Sequence, residues 1–355
     1  MASKEEVIAA RKRVESYSGR KLRIMEVCGT HTHEIFGLGI RSILPRDIEL
    51  ISGPGCPVCV TPVGYIDEAV MLALDKGATV CTFGDLVRVP GTEMSLAEAR
   101  SKDAKVRLVY SPADALDYAK EHPDEEVVFL SVGFETTTPG SCIAVRNAKN
   151  EGIKNFSILT ANKTMFNAYI ALKDSADAFM YPGHVSTVTG MQCYYELEKL
   201  CIYGAVTGFT APEIIIALDA MIKGILSGKP FALNCYKRVV REDGSPAARR
   251  IIEEMMEPYD AEWRGLGIIE KSGLRLNAEH ADFDARKKFD LPEIKGRSNP
   301  ACRCGDVLLG ECTPLQCPVF GKVCTPEHPV GACMVSGEGA CSAYYKYGGE
   351  SWRNS

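Results

Sequence analysis

Residues 106–132, VRLVYSPADALDYAKEHPDEEVVFLSV, decide the fold class. An apolar run at 106–110 leads into a helical pattern at 112–121, and a second apolar run follows at 126–132. Strand, helix and strand in that order predict a βαβ unit around a parallel sheet. The alternation extends from about residue 20 to 235. Strands are predicted at 22–27, 48–51, 78–83, 106–110, 126–132, 156–160, 178–181 and 204–208, and helices at 65–75, 95–101, 112–121, 165–172 and 212–226. Single cores stop growing near roughly 250 to 300 residues, and this chain has 355. The predicted fold is therefore α/β, with two similar Rossmann-like parallel-sheet lobes around a cleft, split near Asp124 into residues 1–124 and 125–236. Residues 237–299 are richer in charge and read as a helical connector into a Cys-rich domain, the two together spanning 237–355.

Several strands end in Gly, Pro, Thr or Asp clusters: ISGPGCPVC, CTFGDLVRVPG, SVGFETTTPG, YPGHVSTVTG and VTGFTAPE. Ligands of open α/β sheets bind at the carboxyl ends of strands, so these loops are expected to line one cleft. Glu135, Thr136, Thr137 and Thr138 could orient a small polar or anionic ligand there, and His184 of PGHVS stands in a similar position. A turn-only role for both loops is the competing reading. The signatures G-x-S-x-G, G-x4-G-K-[ST] and H-E-x-x-H are absent, which removes the usual hydrolase, nucleotide-kinase and zincin readings.

Composition narrows the class. The chain is 46% hydrophobic and 25% charged, and no stretch approaches the ~20 apolar residues of a membrane span. A formal net charge of -5 argues against nucleic acid, whose binders concentrate basic charge on one face. The opening MASKEEVIAARKRVESYSGRK is an amphipathic helix pattern without an apolar signal core, which predicts a cytoplasmic protein. Fifteen cysteines in a reducing compartment point to metal, cluster or redox chemistry, not to a disulfide framework. Cys81, Cys142, Cys193, Cys201 and Cys235 stand alone in or beside apolar runs and read as small buried hydrophobes.

Cys302, Cys304, Cys312, Cys317, Cys324, Cys333 and Cys341 crowd into forty residues, with one, seven, four, six, eight and seven residues between them. Zinc sites are usually built from paired C-x2-C or C-x4-C knuckles, which this spacing does not form. Thiolates converging from Gly- and Pro-rich loops suit a [4Fe-4S] cube. Four of Cys302, Cys304, Cys317, Cys324 and Cys341 are the expected ligands, and Cys312 with Cys333 the leading redox dithiol. A second group comes from two loops: Cys28 in MEVCGTHTH, and Cys56 with Cys59 in GPGCPVCVTP. C-x-x-C spacing serves both metal and dithiol work. Cys28 precedes His31 and His33, which face one side if the loop stays extended; thiolate and imidazole suit iron, zinc or copper.

MEVCGTHTH, GPGCPVCVTP, GFETTTP, PGHVS and the C-terminal run CRCGDVLLGECTPLQCPVFGKVCTPEHPVGACMVSGEGACSAYYKYG together resemble the HypD family of hydrogenase maturation proteins, in order and over nearly the whole chain. The resemblance implies two similar α/β lobes plus a [4Fe-4S] domain. It implies a scaffold, working with a small HypC-type chaperone, for the Fe(CN)2CO unit of [NiFe]-hydrogenases, with cyanide supplied by a HypE-type partner. By the same resemblance Cys28 helps to hold iron, with His31 nearby, and Cys56 and Cys59 form a cleft dithiol that coordinates iron or exchanges electrons with the C-terminal cluster. A free-standing iron-sulfur thiol-disulfide oxidoreductase is the competing function.

Overall fold

The computed structural model describes residues 2–348. In chain order its strands are β1 (Leu22–Glu26), β2 (Ile48–Ser52), β3 (Thr79–Thr82), β4 (Val106–Leu108), β5 (Val127–Gly133), β6 (Phe156–Lys163), β7 (Ala178–Pro182), β8 (Gly204–Thr207), β9 (Ala232–Asn234), β10 (Met256–Trp263) and β11 (Gly267–Leu276). Each predicted strand is present. β5 and β6 are buried along their whole length, because a parallel strand covered on both faces needs a continuous apolar run. The helix Pro112–Glu121 begins where its chemistry dictates: Ser111 accepts from the Asp114 N–H, Asp114 answers in a capping box, and Pro112 occupies the first turn.

The fold is mixed α/β with two parallel-dominated sheets and a Cys-rich C-terminal segment. One sheet has the order β2-β1-β7-β8-β9 and is parallel throughout. The other has the order β10-β11-β6-β5-β3-β4; β3 to β6 are parallel, and β10 and β11 add an antiparallel hairpin at the edge.

Two expectations are corrected. Asp124 is no lobe boundary, because β3 pairs with both β4 and β5, so the unit at 106–132 closes within one sheet. The chain instead places β1 and β2 in the first sheet, β3 to β6 in the second, and β7 to β9 back in the first. Strand runs of like composition carry no mark of the sheet they join. Nor are residues 237–299 a helical connector: after the helix Pro246–Met255 they form the β10–β11 hairpin. The glycines of RGLGII are its turn, Gly265 at φ 82° and Gly267 at φ 80°, conformations that glycine adopts without strain.

The Cys-rich segment is short helices and loops laid on the first-sheet loops. Its helix Ala332–Val335 packs on the helix Pro57–Val60, and Ala340–Tyr347 packs on Gly29–Gly37. Arg41 joins these layers: it pairs with the fully buried Glu26 and lies over the Phe36 and Tyr344 rings. Among the isolated cysteines, Cys81 and Cys142 are core residues with no exposure, whereas Cys201 is exposed, at φ 62° just past a helix end. Among the described residues no helix is long and apolar enough to cross a membrane.

Candidate metal and thiol site

Two loops at the carboxyl ends of β1 and β2 touch each other. Cys28 caps the helix Gly29–Gly37, and Cys56 caps Pro57–Val60, accepting at Sγ from the Cys59 N–H at 3.3 Å. Gly55 makes their approach possible, since a Cβ there would sit 2.2 Å from the Cys28 nitrogen. The tail closes over the same place: Thr30 Oγ1 donates to Glu338 Oε1 at 2.8 Å, and the Glu338 backbone rests on Gly29. Burial pushes the Cys28 thiol up to about 11, against the His31 and Thr30 backbone N–H groups that favour the thiolate.

His31 and His33 do not share a face. The GTHTHEIFG segment is a helix, so residues two apart diverge by about 200°, and the extended-loop expectation fails. His33 Nε2 meets the Tyr347 hydroxyl at 2.8 Å. His31 is fully buried and donates from Nε2 to the carbonyls of Thr207 (3.2 Å) and Gly208 (3.0 Å) at the end of β8. Two carbonyl partners fix the tautomer. Burial lowers its pKa to about 4, so the ring is neutral, and its Nδ1 lone pair has no partner. His31 and His184 both stack on Phe209, with ring centroids 4.6 Å and 4.1 Å away, which brings the PGHVS loop to this site.

The two cysteine groups meet through Cys333. This fully buried residue lies among Cys304, Cys341 and Cys59, and these sulfur neighbours hold its pKa well below the usual thiol range. Burial pushes Cys59 up, and hydrogen bonds to Cys304 and Cys333 push Cys341 up. Cys302 Sγ lies 3.2 Å from Cys304 Sγ, and Cys324 Sγ accepts from the Val330 N–H at 3.3 Å. Cys317 shares the same apolar cluster with Cys56, Cys59, Cys304, Cys324, Cys333 and Cys341. Cys312 does not join it: it packs with Val307 and Ala340, facing Arg303 and Asp306. Cys312, one half of the expected Cys312–Cys333 pair, thus lies outside the cluster that holds Cys333, whose sulfur neighbours are Cys304, Cys341 and Cys59.

Glu135 lies apart from the thiols. Its Oε1 accepts from the Met165 N–H at 2.8 Å, Oε2 is buried without a partner, and burial pushes the carboxyl up to about 7. The neighbouring hydroxyls make the turn: Thr137 and Thr138 both donate to the Phe134 carbonyl, while Thr136 is exposed. A raised carboxyl pKa means that folding takes up a proton between 4.5 and about 7. The stabilisation is full below that window and is lost as pH rises through it. Glu135→Gln is therefore expected to gain on the wild type by about 3 kcal/mol between pH 5 and pH 8, at about 1.36 kcal/mol per unit. Urea unfolding of both proteins across that range checks this, and parallel stability profiles would exclude it.

Sequence reading missed Arg264 altogether. It is 7% exposed, its Nε donates to the Thr61 carbonyl at 2.7 Å, and its charge faces Cys304, Cys333, Cys302 and Cys59. Its Nη2 is buried without a partner. Among the described residues no three His, Cys, Asp or Glu side chains are set out as a ready ion cage; the cysteines are free thiols packed against one another. Soft sulfur donors around an unsatisfied buried cation nonetheless fit an anionic iron-thiolate group, since thiolates supply the charge that neutral thiols lack.

The HypD family profile, described as "Hydrogenase formation hypA family", matches residues 3–348. The hydrogenase maturation factor HypD of Cupriavidus necator is 42% identical over 356 residues, covering 96% of this chain and 93% of that protein. HypD of Escherichia coli is 42% identical over 334 residues, with 92% and 90% covered. A putative hydrogenase expression/formation protein of Methanocaldococcus jannaschii is 42% identical over 335 residues, with 92% of each chain covered. Matched from one end of its fold to the other, with both cysteine groups inside the matched span, the chain belongs to the HypD family of hydrogenase maturation factors.

Proposed function

We propose that this protein assembles the Fe(CN)2CO centre of [NiFe]-hydrogenases together with a HypC-type chaperone, receiving cyanide from a HypE-type partner, in the cytoplasm. The observation that carries the reading is the packing of the tail helix Ala332–Val335 on Pro57–Val60, which puts Cys333 in one buried cluster with Cys56 and Cys59 and sets the C-P-V-C loop against the tail cysteines. In this reading four of Cys302, Cys304, Cys317, Cys324 and Cys341 hold a [4Fe-4S] cluster, which supplies single electrons when bound. Cys56 and Cys59 form the dithiol, and Cys28 grips the iron cargo. A thiol held near pKa 11 stays protonated until a cation displaces the proton, so Cys28 ligates only as iron arrives. His31, neutral and with Nδ1 free, offers a base or a nitrogen ligand three residues on.

Purification without oxygen alongside the chaperone tests the assignment. The wild-type complex is expected to show infrared bands of metal-bound cyanide and CO. Cys28→Ala is expected to lose those bands and hydrogenase maturation while keeping the brown chromophore. Full maturation by that variant would refute the role given to Cys28. Turnover of a small disulfide by the protein alone would favour the free-standing oxidoreductase.

A further inference from the structure

Arg264 reaches the thiols by a built route. The β10–β11 turn presses on the tail so closely that a Cβ at Gly265 would lie 2.2 Å from the Gly305 Cα, in the residue after Cys304. The Arg264 N–H donates to the Val60 carbonyl at 2.8 Å and its Nε to that of Thr61 at 2.7 Å. Both acceptors directly follow Cys59. One residue thus ties the hairpin, the C-P-V-C loop and the tail cysteines together. Its Nη2 is left without a partner, although a guanidinium takes that burial only where negative charge or acceptors meet it. The thiols around it are the groups that acquire such charge.

Resting on the function proposed above, the geometry points to Arg264 as the positioning residue that sets the reduction potential of the sulfur site, as the fixed counter-charge to its thiolates. Reduction of an iron-thiolate group adds one electron and one negative charge. Reduction of the disulfide form of a cysteine pair breaks its S–S bond with two electrons from an external low-potential donor and leaves two thiolates, which become neutral only by taking up two protons in a later step. In each case the product is the more anionic state, and a cation in a water-poor interior favours it. Arg264 therefore raises the potential of whichever couple occupies the site. It stands on the wall of a cavity of about 750 Å³ that also reaches Cys302 and Cys304, so its charge acts at the solvent approach to these thiols.

Anaerobic redox titration of Arg264→Met and Arg264→Lys tests this. Methionine keeps the apolar stem without the charge, while lysine keeps the charge without the fork. Iron and sulfide contents are expected to match the wild type, and the reduction equilibrium of Arg264→Met to fall at least tenfold, about 59 mV for a one-electron couple. Arg264→Lys is expected to recover most of that shift. Potentials that coincide across all three proteins would overturn the role, as would equal shifts in both variants, which would mark Arg264 as structural only. If the wild type binds no iron, the parent reading fails by itself. The same variants are then compared by glutathione titration with thiol trapping, where the expected fall is again at least tenfold and no change sinks the role. Should Arg264→Met not fold, Arg264→Gln takes its place with the same expected shift.

Discussion

Replacing Gly55 by alanine is expected to abolish hydrogenase maturation and to lower the stability of the fold by at least about 2 kcal/mol. The new methyl group would stand 2.2 Å from the Cys28 nitrogen, 2.4 Å from its Cα and 2.5 Å from the Val27 carbonyl carbon. All three are backbone atoms, so no rotamer relieves the contact and one of the two loops must withdraw. Withdrawal parts Cys28 from the C-P-V-C loop and breaks the Gly29–Gly55 backbone hydrogen bond. Gly84→Ala is the control, because nothing lies within 4 Å of its Cβ position, and it should be close to neutral. Thermal unfolding and a maturation assay read both variants. A Gly55→Ala protein of wild-type stability that matures hydrogenase would mean that the contact between these loops is dispensable.

The first-sheet loops and the tail were legible in part, and the reasons are physical. β1 to β3 and β5 to β8 stood out because strands covered on both faces leave continuous apolar runs, whereas the edge strand β4 is largely open to solvent and showed itself only by its apolar residues. β10 and β11 did not, because they are covered only in part and without a regular period, and Pro258 and the turn glycines interrupt the pattern. The sheet exchange between β2 and β3, and again between β6 and β7, leaves no trace in composition. Within the site, Cys28, Cys56 and Cys59 announced themselves by Gly and Pro spacing, and the C-terminal thiols by density. His31 was named for proximity to Cys28. Its orientation depended on GTHTHEIFG being a helix, a segment whose small and polar residues show no clear apolar stripe. Arg264 carried no signal, since one arginine before glycine is ordinary turn chemistry. The contact of Gly265 with Gly305 and the hydrogen bonds of Arg264 to the Val60 and Thr61 carbonyls aim it at the thiols.

Cys333 is where the two halves of the site join, and its removal should have the most selective effect. It is fully buried, and its sulfur is shared between Cys59 on one side and Cys304 with Cys341 on the other. Cys333→Ala removes one sulfur atom from an apolar cluster that can close around it, so the fold should lose only about 1 kcal/mol. Cys56 and Cys59 keep their own hydrogen bond, and Cys302 keeps Cys304. What is lost is the sulfur between them. On the function proposed above, iron and sulfide in the tail are therefore expected to persist, while reduction of the Cys56/Cys59 pair by a one-electron donor, followed by thiol trapping, slows at least tenfold, or about 1.4 kcal/mol of barrier. An unchanged rate would show that electrons reach the dithiol by another path. Loss of the iron would instead make Cys333 a ligand, and the thiolate character that its sulfur neighbours favour would then belong to metal binding rather than to exchange.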